Sequence, residues 1–170
     1  MSAYRTAMLV ASLLMTAAAL DARAAAADDC APIVKAELAS VTAPAFRQYL
    51  SLPGGAAGKD KRLMSIALGD AVYMATGGPG GWQKMDRKEI IGMAKEAAAD
   101  ASYRDCKSLG SEPVGGVATA VYAFTMESKS QGFPTSHGKV WIADDGLLRK
   151  QATDQGSLRY EYDDVKAPIP

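Results

Sequence analysis

The sequence has few of the side chains that most catalytic and metal sites require. Its 170 residues include one histidine, His137, and two cysteines, Cys30 and Cys106. These are too few soft ligands for a zinc site, and we expect no cofactor and no metal. The chain also lacks a charge excess, with 19 Lys and Arg against 19 Asp and Glu. Because no basic surplus is available to neutralise phosphates, nucleic acid is not an expected partner.

Long apolar runs are absent as well, apart from a short one near the N-terminus. Arg5 precedes an apolar stretch over 7–20, and small residues follow it. This order is typical of a secretory signal peptide, and the stretch is shorter than the roughly 20 residues that a transmembrane helix needs. We expect a signal peptide over 1–27, cleaved after Ala27 or Ala24, and a periplasmic mature chain without a transmembrane segment.

The remaining residues, 28–170, are enough for a single domain with a sizeable core. Two cysteines in an exported chain more often form a disulfide than remain free thiols. We therefore expect a bridge between Cys30 and Cys106. It would close a loop of about 77 residues and contribute roughly 4 kcal/mol to stability.

The hydrophobic pattern predicts two helices among many strands. Residues 31–43 predict a short helix that Pro44 ends, and 86–102 predict a second helix that Asp86 and Glu89 begin. Alternating segments elsewhere predict about eight or nine antiparallel strands. This combination indicates an α+β domain with a strongly curved sheet, and short helices rich in small apolar residues suit its concave side.

Two stretches resemble the LolA-like family of periplasmic lipoprotein carriers and their relatives: GKVWIADDGLLRK and LRYEYDDVKAPIP. The matching residues are Trp141, Ile142, Gly146, Leu147, Lys150, Asp164, Val165 and Lys166. Leu148 departs from the family pattern, which has proline there. Through GWQKM and TSHGKVWI, the chain is more similar to small exported members of unassigned function than to the carrier itself. The resemblance implies a half-barrel sheet roofed by helices, whose hollow can receive acyl chains or another apolar group.

The residues that could suggest an enzyme have simpler interpretations. Asp144 and Asp145 precede Gly146 between two alternating segments, which is typical of a hairpin turn rather than of a catalytic acid pair. Ser136 and His137 are neighbours on a predicted strand, so their side chains point to opposite faces and cannot form a catalytic pair. We predict that the protein is not an enzyme.

Apolar side chains on three predicted strands and one helix could form either core or a ligand pocket, because methionine and aromatic residues suit an adaptable pocket. We expect the strand residues to line one face. The candidate ligand-binding residues are Met64, Ile66, Leu68, Ile90, Met93, Tyr122, Phe124, Met126, Val140 and Ile142.

The first functional hypothesis is a non-enzymatic periplasmic binding protein that takes a lipid or a lipoprotein acyl chain between sheet and helices. The alternative is a periplasmic module with a filled core, which binds a protein partner through an exposed strand edge.

Overall fold

A computed structural model describes residues 29–53, 61–75, 81–128, 130 and 134–168. The predicted signal peptide lies outside these residues. The helices are α1 (Ala31–Thr42) and α2 (Arg87–Asp100). The strands are β1 (Ala45–Leu52), β2 (Lys61–Leu68), β3 (Ala71–Ala75), β4 (Trp82–Asp86), β5 (Ala101–Val114), β6 (Val117–Ser128), β7 (Ser136–Ala143), β8 (Leu148–Thr153) and β9 (Gly156–Glu161).

The nine strands form one antiparallel sheet in the order β4-β3-β2-β1-β9-β8-β7-β6-β5. Strands that are consecutive in the sequence pair with each other within two halves, β1–β4 and β5–β9. The pairing of β1 with β9 joins these halves. The sheet curves without closing, so that β4 and β5 are its edges. Neither described helix is long and apolar enough to cross a membrane.

Cross-strand partners share a face of the sheet, which allows both faces to be traced across it. Phe46 lies opposite Ala67, and Gln48 lies opposite Tyr160. We call this side, which α1 and α2 cover, the inner face. The opposite side, which includes Trp141 and the other side chains that alternate with the inner set, is the outer face.

Helix α1 fills the centre of the inner face. Ile33 and Ala36 are buried in the main core cluster together with Phe46, Phe124 and Val140. A proline in the first turn suits the start of the helix, because the missing N–H would have no intrahelical partner there.

A buried hydroxyl joins α1 to strand β8. The hydroxyl of Ser40 donates to the carbonyl of Ala36 at 2.7 Å and accepts from the N–H of Leu148 at 2.8 Å. The register between β7 and β8 shifts between Leu148 and Lys150, so this side-chain contact satisfies a backbone donor where the ladder is irregular.

Helix α2 is anchored at its N-terminus. Asp86 caps it by accepting from the N–H of Lys88 at 2.6 Å, as the sequence predicted for this start. Arg87 is buried, and its guanidinium donates to the carbonyls of Pro44 at 2.7 Å and Gly69 at 3.1 Å, and also to that of Ala43. This one side chain therefore satisfies backbone carbonyls both after the end of α1 and in the turn between β2 and β3.

The predicted disulfide is confirmed. Cys30 and Cys106 are bonded, with their Cα atoms 5.2 Å apart. Cys106 lies within a register shift of β5, between Arg104 and Lys107, and Cys30 immediately precedes α1. The bond fixes the N-terminus of the core helix to an edge strand.

Candidate ligand-binding site

The packing between α2 and the inner face is incomplete and leaves a series of adjoining cavities. The first, about 180 Å³, lies between α2 and strands β1–β3, and Phe46 and Ile90 line it. The second, about 210 Å³, lies between the two helices. Val41 and Ala94 line both of them, so the two cavities adjoin.

The series continues to the open end of the sheet. The third cavity, about 800 Å³, lies between the C-terminal half of α2 and the ends of β5 and β6. It shares Ala97 and Ala101 with the second cavity, and it shares Met126 with a fourth of about 170 Å³ near β8 and β9. We call this series the α2 seam and define it by its shared lining: Val41, Ala94, Ala97, Ala101 and Met126.

Small side chains create the α2 seam. Arg87 is the one residue of α2 that is buried, and the helix ends in an alanine-rich turn. Alanine methyl groups are too short to fill the space between α2 and the sheet, whereas α1 is packed closely enough to bury Ile33, Ala36 and Ser40. The second helix therefore leaves space that the first does not. The third cavity falls within the roughly 300–1,000 Å³ that is typical of small-molecule pockets.

Acidic side chains surround the wide end of the α2 seam. Glu96, Asp100 and Glu127 line the third cavity. Glu127 accepts from the Arg104 guanidinium at 2.6 Å, and this hydrogen bond lowers the pKa of Glu127. The apolar interior therefore opens toward a polar, negatively charged rim.

One carboxyl group lies deeper in the α2 seam. Glu37 lines the second cavity and accepts a hydrogen bond from the Tyr103 hydroxyl at 2.6 Å. Burial raises the pKa of Glu37, and the hydrogen bond from Tyr103 opposes this rise. Burial also raises the pKa of Tyr103, which favours the neutral hydroxyl that donates this hydrogen bond.

The structure brings part of the predicted ligand-binding set together. Met93 and Met126 line the third cavity, and Met93 is 53% exposed at its rim. Ile90 lines the first cavity. The remaining inner-face residues belong to the filled core or pack against it: Tyr122, Phe124, Val140 and Ile142.

The expectation that all the strand residues share one face is wrong for β2. Met64 lies opposite Tyr49 and Ile66 opposite Arg47, which places both on the outer face. Leu68 alternates with them and lies on the same side. The inner-face positions of β2 include Ser65 and Ala67, whose small side chains leave room for α2.

The aspartate pair forms the hairpin turn that the sequence predicted. Asp145 accepts from the N–H of Leu147 at 3.0 Å and pairs with Arg149 at 2.5 Å. The N–H of Gly146 donates to the carbonyl of Ala143, and Gly146 has a φ of 78°, which glycine adopts without strain. These contacts account for the sequence of the turn without a catalytic role.

Ser136 and His137 do not form a catalytic pair. The Ser136 hydroxyl donates to Asp154 at 2.7 Å, and this hydrogen bond lowers the pKa of Asp154. The His137 imidazole lies 3.2 Å from the hydroxyl of Thr125. Among the described residues, no cluster of histidine, cysteine and carboxylate side chains could hold a metal ion.

Sequence reasoning missed the alanines of the α2 seam. Ala94, Ala97 and Ala101 belong to an alanine-rich segment of a predicted roofing helix. Alanine at successive positions of one stripe of such a helix indicates space beneath it, and this signal could have identified the seam.

No family model matches the sequence, and no curated protein matches it. Among solved structures, the chain is similar to the crystal structure of the Mycobacterium tuberculosis lipoprotein LppX, with a TM-score of 0.52 and 14% identity. The likeness covers 85% of this chain and 98% of LppX. The crystal structure of LprF from Mycobacterium bovis aligns with a TM-score of 0.46 and 11% identity, over 85% of this chain and 95% of LprF. The likeness to LppX concerns the fold, and it confirms the predicted class, a LolA-like α+β half-barrel with helices on its concave face.

Proposed function

We propose that this protein is a non-enzymatic, periplasmic binding protein that holds an apolar ligand, a lipid or a lipoprotein acyl chain, in the α2 seam. The observation that carries this proposal is the continuity of the seam. Its cavities adjoin through shared lining residues and lead from the interior near Phe46 to the open end near Met126. An extended chain suits this shape better than a compact molecule does.

The compartment is part of the proposal. A disulfide forms and persists in oxidising environments such as the periplasm, and Cys30–Cys106 is bonded. The order of residues over 1–27 is that of a secretory signal peptide. The carrier pattern has proline where this chain has Leu148. This departure would fit a closer relation to the small exported LolA-like proteins than to the carrier itself.

Burial of hydrocarbon would drive binding. Each methylene group removed from water contributes about 0.8 kcal/mol, so several in the seam are enough for useful affinity. Helix α2 packs on the sheet mainly through its N-terminal turn, and its C-terminal half lines the widest cavity. A small movement of that half would admit the chain.

The experiment measures uptake of a fluorescent fatty acid by the purified protein, together with mass spectrometry of its organic-solvent extract. Ala97→Trp and Ala94→Trp each place an indole in the seam. We expect affinity at least about tenfold weaker, equivalent to the lost burial of about two methylene groups. Lys95→Trp is the matched control, because Lys95 is exposed on the same helix.

Absence of lipid in the extract, together with no uptake of the fatty acid, would contradict the proposal. Equal affinity in all three tryptophan variants would also contradict it, since the ligand would then lie elsewhere. Thermal unfolding of each variant shows whether weaker binding comes from a folded protein with a filled seam or from a misfolded protein. Ala97 is exposed at the rim, so its variant is expected to fold even if that of Ala94 is damaged.

A second candidate function is a protein-interaction module, which the edge strand β5 favours. This strand spans Ala101–Val114 at the end of the sheet and is largely exposed from Lys107 to Pro113. An unpaired strand edge can accept a strand from a partner. Under this alternative, fatty-acid uptake is absent and a partner protects the β5 amides from hydrogen exchange.

A further inference from the structure

The outer face of the sheet carries a concentration of cations. Strand pairing places Arg47, Arg62, Lys139, Lys150 and Arg159 on the outer face of the five strands from β2 to β7 in the sheet order. Among the described residues of these strands, Glu161 is the only carboxylate on that face. The whole chain has a formal net charge of zero, so the charges are distributed unevenly and the outer face of these five strands is positive.

A groove of about 430 Å³ lies within this positive face. Apolar groups of Tyr49 and Met64 line it, and Arg62, Lys150 and Arg159 stand around it. Both helices pack on the inner face, so neither covers the groove. It shares the strand residues Leu50, Ser157 and Leu158 with the fourth cavity, but its cations lie on the outer face and the α2 seam lies on the inner face.

Aromatic rings hold two of the cations in place. The Arg159 guanidinium carbon lies 4.8 Å from the centroid of the Tyr49 ring, and the Lys150 ammonium lies 4.3 Å from that of Trp141. Such stacking restricts long side chains that would otherwise sample many rotamers. The groove therefore presents partly ordered positive charge above an apolar floor.

Glu161, the one carboxylate among the described residues on the outer face of these five strands, already pairs with cations of the protein. Glu161 pairs with Arg47 and Arg159, each at 3.0 Å, and accepts from the Tyr49 hydroxyl at 3.2 Å. Among the described residues, no carboxylate lies within ion-pair distance of Arg62 or Lys150. These two cations can therefore bind an external anion without breaking an internal ion pair.

We propose that the outer face docks on an anionic lipid surface, with one phosphodiester headgroup in the groove between Arg62, Lys150 and Arg159. A phospholipid carries its charge at the surface and its apolar part deeper, and the groove has cations around its rim and Tyr49 and Met64 within. Tyrosine is also favoured at the boundary between headgroups and acyl chains. An acidic peptide would pair with the cations but would leave the apolar floor of the groove without an apolar contact.

This proposal does not rest on the function proposed for the α2 seam. The cations of the groove are not among the residues that define the α2 seam, and strand pairing places them on the opposite face of the sheet. Fatty-acid uptake and vesicle binding are therefore measured separately, and either can fail without the other.

The experiment is co-sedimentation of the purified protein with vesicles of pure phosphatidylcholine and with vesicles containing phosphatidylglycerol. We expect binding to the anionic vesicles only, with a strong decrease at high salt because exposed charges are screened. Each basic side chain near an anionic surface is worth a factor of about 5 in binding, so Arg62→Gln with Lys150→Gln is expected to weaken it about 30-fold. The matched control is Lys88→Gln with Lys95→Gln, which removes two exposed cations from α2 and leaves binding within about twofold.

Three results would overturn the proposal. The first is no binding of the unmodified protein to anionic vesicles. The second is an equal loss in both double variants, which would mean that net charge and not the groove is responsible. The third is binding of a polyglutamate peptide without binding of vesicles, which would assign the face to an acidic protein. Thermal unfolding confirms that both double variants are folded.

Discussion

At the scale of single residues, Glu37 is notable because it holds a carboxyl group between two helices. Its neighbours in the second cavity include Leu38, Val41 and Ala94, none of which can stabilise a negative charge. The Tyr103 hydroxyl is its hydrogen-bond donor. Because burial outweighs this hydrogen bond, the pKa of Glu37 lies above its ordinary value of 4.5.

The raised pKa predicts a definite pH dependence. The folded state holds the proton of Glu37 more tightly than the unfolded state does, so ionisation opposes folding. This cost is absent well below pH 4.5, grows between pH 4.5 and the folded-state pKa, and is constant above that pKa. Glu37→Gln keeps an acceptor for Tyr103 and removes the charge. We therefore expect its unfolding free energy, relative to the unmodified protein, to increase as the pH rises above 4.5 and to level off above the folded-state pKa.

Urea denaturation at a series of pH values measures this difference. A difference that stays constant with pH would show that the carboxyl group titrates alike in both states. A difference that falls as the pH rises would show that the folded protein stabilises the carboxylate. Either result would contradict the burial argument.

At the scale of elements, the two helices are attached to the sheet in unlike ways. Helix α1 buries Ile33, Ala36 and Ser40 and is joined to β5 through the disulfide at Cys30, immediately before its N-terminus. Helix α2 buries only Arg87, at its first position. The first helix is therefore part of the core, and the second lies over it as a partial cover.

This contrast predicts a gradient of hydrogen exchange. Segments with few buried apolar contacts open at lower free energy than the core does. We expect the amides in the C-terminal half of α2 to exchange faster than those near Arg87, and those of α1 and β7 to be slowest. Native-state exchange followed by mass spectrometry measures all of these in one experiment. Equal protection in α1 and α2 would contradict the view of α2 as a loosely packed cover.

The edges of the sheet also differ from its centre. Strand β5 has register shifts near Arg104 and Ser108, and Gly110 has a φ of 94° between its exposed residues. Proteins commonly use bulges and prolines to prevent unwanted pairing of exposed edges, and Pro113 follows in the same strand. The irregular edge thus limits uncontrolled association while leaving polar backbone groups accessible.

At the scale of the whole molecule, the sequence was enough for the fold class and for the order of elements. The change from an alternating to a helical pattern defined α2, and the capping residue Asp86 defined its start. The turn at Asp144 and Asp145 followed from local chemistry. The disulfide followed from the number of cysteines and the expected compartment.

The candidate site was only partly predictable, because alternation separates two faces without showing which one is inward. In β2, the larger apolar residues Met64, Ile66 and Leu68 lie on one face, and Ser65 and Ala67 on the other. Hydrophobicity alone favours the first set as the inner one. The structure has the reverse, since the inner face needs small side chains beneath α2. Information on the packing partner was therefore required.

The disulfide connects two segments that are far apart in the chain, and its removal tests how far the core alone sustains the fold. Cys30 and Cys106 are 76 positions apart, so the bond removes much freedom from the unfolded chain. We expect Cys30→Ser with Cys106→Ser to lower the unfolding free energy by about 4 kcal/mol, as measured in urea without reductant. Reductant should lower the stability of the unmodified protein similarly and leave the double variant unchanged. An unmodified protein whose urea midpoint does not respond to complete reduction would show that packing of Ile33 and Ala36 already holds α1 in place.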